Sequence, residues 1–155
     1  MMRYWNYDIV FAEVPGEVSL AINITGCPNR CQGCHSPWLW KDVGEELSEQ
    51  NLIMIVDRYA RDITCVCFMG GDAEPERIQE LSKFVRKNYK NKKVAWYSGN
   101  ETISEQIDIR NFDYIKTGAY IAKNGALKSP STNQRFWRIN AQGEKEDLTC
   151  IFWKK

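Results

Sequence analysis

Residues 63–97 read ITCVCFMGGDAEPERIQELSKFVRKNYKNKKVAWY: an apolar run, a Gly-Gly-acid turn, a stretch of helical periodicity and a second apolar run. Ile63–Met69 predicts a buried strand, and Val94–Tyr97 predicts another. Between them Ile78, Leu81, Phe84 and Val85 recur at three- and four-residue steps and mark the inner face of a helix, with Pro75 suited to its first turn. Two strands joined through a helix are parallel neighbours, because a parallel pair needs a long crossover.

The same alternation extends outward. Ser48 is positioned to cap a helix running to about Arg61, whose apolar face is Leu52, Ile55, Val56 and Tyr59. Val18–Ile24 predicts a buried strand after the Pro15-Gly16 turn, with a further strand over Asp8–Val14 before it. Downstream, a short helical stretch near Ser104–Ile109 leads to a strand at Tyr114–Lys116, stopped by Gly118. Two late strands, Phe136–Asn140 and Leu148–Phe152, flank the Gln142-Gly143 turn. The expected class is α/β, a parallel sheet with helices packed outside it. A complete eight-stranded barrel takes about 250 residues, so this length supplies part of one or an open sheet. No repeat, low-complexity tract or long linker divides the chain, which predicts a single domain over 1–155.

Composition narrows the function classes. The 21 basic and 20 acidic side chains leave a formal charge of +1, so there is no electrostatic footprint for nucleic acid or anionic lipid. Hydrophobic residues make up 43% of the 155, enough for a core without staples. No apolar run approaches the roughly 20 residues that span a bilayer, and Met1–Asp8 lacks the apolar stretch of a secretory signal. The expected location is therefore the cytoplasm, with no membrane partner. Six cysteines in a reducing compartment are expected to be metal ligands, reactive thiols or core residues in preference to disulfides.

Cys27, Cys31 and Cys34 stand in a CxxxCxxC spacing within CPNRCQGC, in an irregular loop directly after a predicted strand. Thiolates this close can converge on one metal centre. A structural zinc site wants four ligands, whereas a cubane iron-sulfur cluster held by three thiolates leaves one iron open to something else. Zinc with Cys65, Cys67 or His35 as fourth ligand, and a redox pair at Cys31 and Cys34, are the competing uses. Cys65 and Cys67, two apart on a strand, share one face and suit core packing, as does Cys150 in the last apolar run. In a parallel sheet, functional loops lie at the carboxyl ends of the strands, so the cysteine loop and Gly70-Gly71-Asp72 are expected on one rim.

The cysteine loop after the first buried strand, followed after the next by a Gly-Gly-acid turn, resembles the radical S-adenosylmethionine superfamily. The runs GCPNRCQGCHSP and GGDAEP, the strand into Tyr97-Ser98-Gly99 and the tail STNQRFWRIN are similar, more narrowly, to the family of activating proteins of anaerobic (class III) ribonucleoside-triphosphate reductases. That resemblance spans about Asp8 to Phe152 and implies a partial, incomplete parallel β/α barrel. It implies a 4Fe-4S cluster on Cys27, Cys31 and Cys34, with S-adenosyl-L-methionine chelated at the fourth iron and cleaved reductively. The product radical would take a hydrogen atom from a glycine of the reductase, with an electron donor such as flavodoxin supplying the reduction.

By the same resemblance, Gly70 and Gly71 present backbone groups to the methionine portion and Asp72 pairs with its ammonium. Gly33, Cys34 and His35 flank the adenine or the cluster, and Ser98 reaches toward the ribose or carboxylate. Trp38 and Trp40 follow the loop and could shield it, while Asn133-Gln134-Arg135 sits near enough to the sheet to touch a partner peptide. Two other functions compete. One is an activase of another glycyl radical enzyme of the pyruvate formate-lyase type, and the other is an iron-sulfur or zinc module without turnover.

Overall fold

A computed structural model describes residues 1–28, 41 and 43–153. Among the described residues eight strands form one sheet, ordered β3-β1-β2-β4-β5-β6-β7-β8. They are β1 (Arg3–Val10), β2 (Ser19–Ile24), β3 (Glu45–Glu46), β4 (Cys65–Met69), β5 (Lys93–Tyr97), β6 (Tyr114–Thr117), β7 (Arg135–Ile139) and β8 (Lys145–Asp147). The described residues include two α-helices, α1 (Glu49–Tyr59) and α2 (Pro75–Asn88).

The centre of the sheet, β2-β4-β5-β6, is parallel, with Ile22 opposite Phe68, Phe68 opposite Trp96 and Trp96 opposite Ile115. On one flank β1 pairs antiparallel with both β2 and β3, and on the other β7 pairs antiparallel with β6 and β8. This corrects the expected partial parallel β/α barrel. The sheet is open and mixed, strand-rich and short of helices. The reason lies in the connections: β5 reaches β6 through a 3-10 turn at Ile109–Asn111 in place of a helix. Beyond β6 the chain returns antiparallel, and a tight turn from Asn140 to Glu144 folds β8 back on β7. The edge strands are charged, Glu45-Glu46 and Lys145-Glu146-Asp147, which discourages pairing between sheets.

Because β2, β4 and β5 follow one another across the sheet, successive right-handed crossovers put α1 and α2 on the same face. Leu52, Val56, Ile78, Leu81 and Val85 of the helices are fully buried there against Leu20, Ile22, Val66, Phe68, Val94 and Trp96. The alternate residues, Cys65, Cys67 and Ala95, face the other way, joined by Val14, Leu127 and Phe136. Ser48 caps α1 as its sequence position requires, accepting from Asn51 N at 3.1 Å, and Pro75 opens α2. Lys92, just before β5, donates to the carbonyls of Ala60 and Ile63 and so ties off the exit of α1.

Two further expectations are corrected. The first strand runs over Arg3–Val10, earlier than Asp8–Val14. The apolar stretch at 148–152 is not a strand: Thr149–Trp153 is a 3-10 turn, and Cys150 within it is exposed instead of packed. Among the described residues no helix is long and apolar enough to cross a membrane.

Candidate functional site at the carboxyl rim of the parallel strands

Parallel strands end together, and β2, β4, β5 and β6 deliver four loops to one rim. From β2 the chain leaves as Thr25-Gly26-Cys27. Gly26 N donates to Lys41 O at 2.9 Å, and Thr25 Oγ1 donates to Val43 O at 2.6 Å. These bonds close the neck of the cysteine loop. Cys27 is half-buried at its entrance. Gly33, Cys34 and His35, together with Cys31, Trp38 and Trp40, lie outside the described residues. Among the described residues no group of three or more His, Cys, Asp or Glu side chains is arranged to hold a metal ion.

The turn after β4 sits beside that neck, because Asn23 pairs with Met69. Gly70 and Gly71 both have positive φ, +108° and +87°. A Cβ on Gly70 would lie 3.3 Å from Ile24 O, and one on Gly71 would lie 2.5 Å from Cδ1 of the fully buried Ile78. Backbone conformation and space both require glycine here. The turn is held on two sides: Gly70 N donates to Tyr97 O at 3.0 Å, and the buried Trp96 Nε1 donates to Gly70 O at 2.7 Å.

Asp72 and Ser98 meet each other. Ser98 Oγ donates to Asp72 Oδ1 at 2.6 Å, and Gly99 N donates to Oδ2 at 2.8 Å. Ser98 is fully buried. Behind it Lys116, only 9% exposed, donates from Nζ to Ser98 O at 2.9 Å and to Gly118 O at 3.1 Å, and lies over the Tyr97 ring. Gln134 Nε2 also donates to Gly118 O, at 3.2 Å, and Asn133 Nδ2 donates to Glu101 Oε1 at 2.8 Å. The tail segment thus braces the loops after β5 and β6, and Arg135 pairs with Asp147 at 3.4 Å.

Lys116 is the rim residue that sequence analysis passed over. Its signal is a lysine within the otherwise uncharged strand Tyr114–Thr117, where a buried ammonium needs acceptors that only the neighbouring loops can offer. On the sheet face opposite the helices, Lys116, Met69, Tyr97, Tyr120 and Leu127 help to line a cleft of about 580 Å³ that reaches the last residues of β4 and β5. Burial, with Cys67 and Glu13 nearby, pushes the Tyr97 phenol well up, and its hydroxyl donates to Glu13 O.

Cys65 and Cys67 are fully buried, as core packing requires. Burial pushes the Cys65 thiol up to about 12 from its ordinary 9.0, and burial raises Cys67 as well. Both are protonated at neutral pH and poor nucleophiles. Native protein treated with iodoacetamide at pH 8 should be alkylated at the exposed Cys150 and spared at Cys65 and Cys67, as read by peptide mass spectrometry. Labelling of all three at one rate would contradict the packing. Above about pH 9 unfolded thiols ionise while the native ones keep their protons. Each therefore removes roughly 1.4 kcal/mol of stability per pH unit until it too ionises.

The chain is 27% identical, in an alignment 150 positions long that covers 85% of this chain and 93% of the relative, to a protein of Enterobacteria phage T4, the anaerobic ribonucleoside-triphosphate reductase-activating protein. The likeness to activating proteins drawn from the residues is borne out by that match. No solved structure matches. A family model described as a 4Fe-4S single cluster domain matches residues 14–136, from the loop before β2 into β7, and so takes in the cysteine loop, the glycine turn and the bracing loops together. The chain belongs to the 4Fe-4S single cluster domain family.

Proposed function

We propose that this protein activates an anaerobic ribonucleoside-triphosphate reductase, by reductive cleavage of S-adenosyl-L-methionine at a 4Fe-4S cluster and formation of a glycyl radical on that partner. The observation that carries the proposal is the adjacency of two loops. The neck of the three-cysteine loop, closed by Gly26 and Lys41, stands next to a glycine turn whose conformation and packing exclude side chains. The donor set suits the group: three thiolates in one loop are cubane ligands, and they leave a coordination position for a small molecule.

Cys27, Cys31 and Cys34 would hold the cluster, which when bound supplies the electron for the cleavage. The chain's own residues then bind and position. Gly70 and Gly71 would let the methionine end approach the chain with no Cβ in the way, while Gly33, Cys34 and His35 would border the adenosyl end. The apolar walls of the cleft, Met69 and Leu127, would limit water beside a reactive species. An electron donor such as flavodoxin would serve the reduction.

The test is anaerobic reconstitution with iron and sulfide, then chromatography for 5′-deoxyadenosine after adding S-adenosyl-L-methionine and a strong reductant. Release of 5′-deoxyadenosine supports the chemistry. Iron-loaded protein that never cleaves the cofactor would reduce the function to a binding module.

A further inference from the structure

The acidic residue of the Gly-Gly-Asp turn has its carboxylate turned onto the neighbouring loop. Ser98 Oγ and Gly99 N converge on its two oxygens at 2.6 and 2.8 Å, and Ser98 is fully buried. Ser98 is fixed from its other side too, since its carbonyl accepts from the buried Lys116 ammonium at 2.9 Å and its N–H donates to Lys116 O at 2.8 Å. Lys116 reaches on to Gly118 O at 3.1 Å. One connected chain of bonds, Asp72 to Ser98 to Lys116 to Gly118, therefore ties the ends of β4, β5 and β6.

We propose that Asp72 is a positioning residue whose carboxylate latches the loop after β5 to the glycine turn after β4. Its length matters. A carboxylate one methylene longer would overrun a hydroxyl already at 2.6 Å on a side chain with no room to retreat. Bonds to an ionised acceptor are short and strong, so the latch sets the position of Gly70 and Gly71 more firmly than turn geometry alone would. Its effect on cofactor binding rests on the function proposed above, whereas the latch itself does not.

The test has two arms. In the metal-free, isotope-labelled full chain, NMR should find that Asp72→Asn and Asp72→Glu each speed hydrogen exchange at the Gly99 amide about tenfold or more, with Ser98→Ala producing part of that change. Exchange at Gly99 within twofold of wild type in Asp72→Asn would overturn the proposal. Should that variant fail to fold, Ser98→Ala removes only a hydroxyl, and Gly99 exchange within twofold of wild type there would overturn the proposal equally.

The second arm is equilibrium dialysis of S-adenosyl-L-methionine with reconstituted protein. A latch predicts weaker binding in Ser98→Ala and no rescue by Asp72→Glu. Full affinity in both variants would overturn it, because that is the pattern of a carboxylate touching the ligand directly. Wild-type protein that binds no S-adenosyl-L-methionine would defeat the function above while leaving the exchange arm to judge the latch.

Discussion

Cys27→Ala, Cys31→Ala and Cys34→Ala are each expected to abolish a stable 4Fe-4S cluster and, with it, all cleavage of S-adenosyl-L-methionine, while the fold survives. Three thiolates are the smallest set that holds a cubane with one open iron, so losing any one leaves two irons short of protein ligands. The fold should persist because Cys27 lies on a rim loop and belongs to neither core cluster. The checks are iron and sulfide content, visible absorbance and 5′-deoxyadenosine yield, set beside far-ultraviolet circular dichroism and the thermal midpoint. A variant with wild-type iron content and turnover would remove that cysteine from the ligand set. Collapse of the circular dichroism signal would show that the loop contributes more to folding than its position implies.

Trp96→Ala should be among the most damaging single substitutions to stability, at ~3–5 kcal/mol. Trp96 is 1% exposed near the end of β5, packs between sheet and helices, and stacks on Phe112 with ring centroids 5.5 Å apart. It also reaches the site, since its indole N–H is the donor to Gly70 O. Trp96→Phe separates the two roles: it keeps most of the apolar volume and leaves a carbonyl of the glycine turn unpaired, for about 1–3 kcal/mol. Urea unfolding measures both losses. Equal losses in the two variants would mean that the hydrogen bond dominates and the packing hardly counts. If cofactor affinity also falls in Trp96→Phe, the positioning of Gly70 by the indole is functional as well as structural.

The central strands and both helices were legible because each carries a complete local signal. α1 has a serine cap and an apolar stripe, α2 opens on proline, and β4 and β5 are short apolar runs bounded by turn residues. The errors fall where local signal and tertiary pairing part company. The first strand begins at Arg3 because antiparallel pairing to β2 and β3 selects it, and its mixed aromatic and polar residues sit on a flank of the sheet. The run 148–152 is apolar enough for a strand, yet Asp147 accepts from both N and Oγ1 of Thr149 and turns the chain out of β8.

The barrel expectation failed for a related reason. A parallel barrel needs a helix after every strand, and the segments after β6 and β7 contain too little periodic apolar sequence to make one. At the site, Gly70, Gly71 and Asp72 could be read directly, since two glycines and an acid ending a buried strand are locally conspicuous. Their partners could not. That Asp72 meets Ser98, and Ser98 meets Lys116, depends on β4, β5 and β6 being neighbours in that order, which no local window contains.

The most direct measurement is electron paramagnetic resonance on the reconstituted protein, mixed anaerobically with the proposed partner reductase, S-adenosyl-L-methionine and reductant. A glycyl radical signal that needs all of these components, and that disappears when the target glycine is replaced, is the predicted result. Stoichiometric 5′-deoxyadenosine with no radical on the reductase would contradict the activation proposed here.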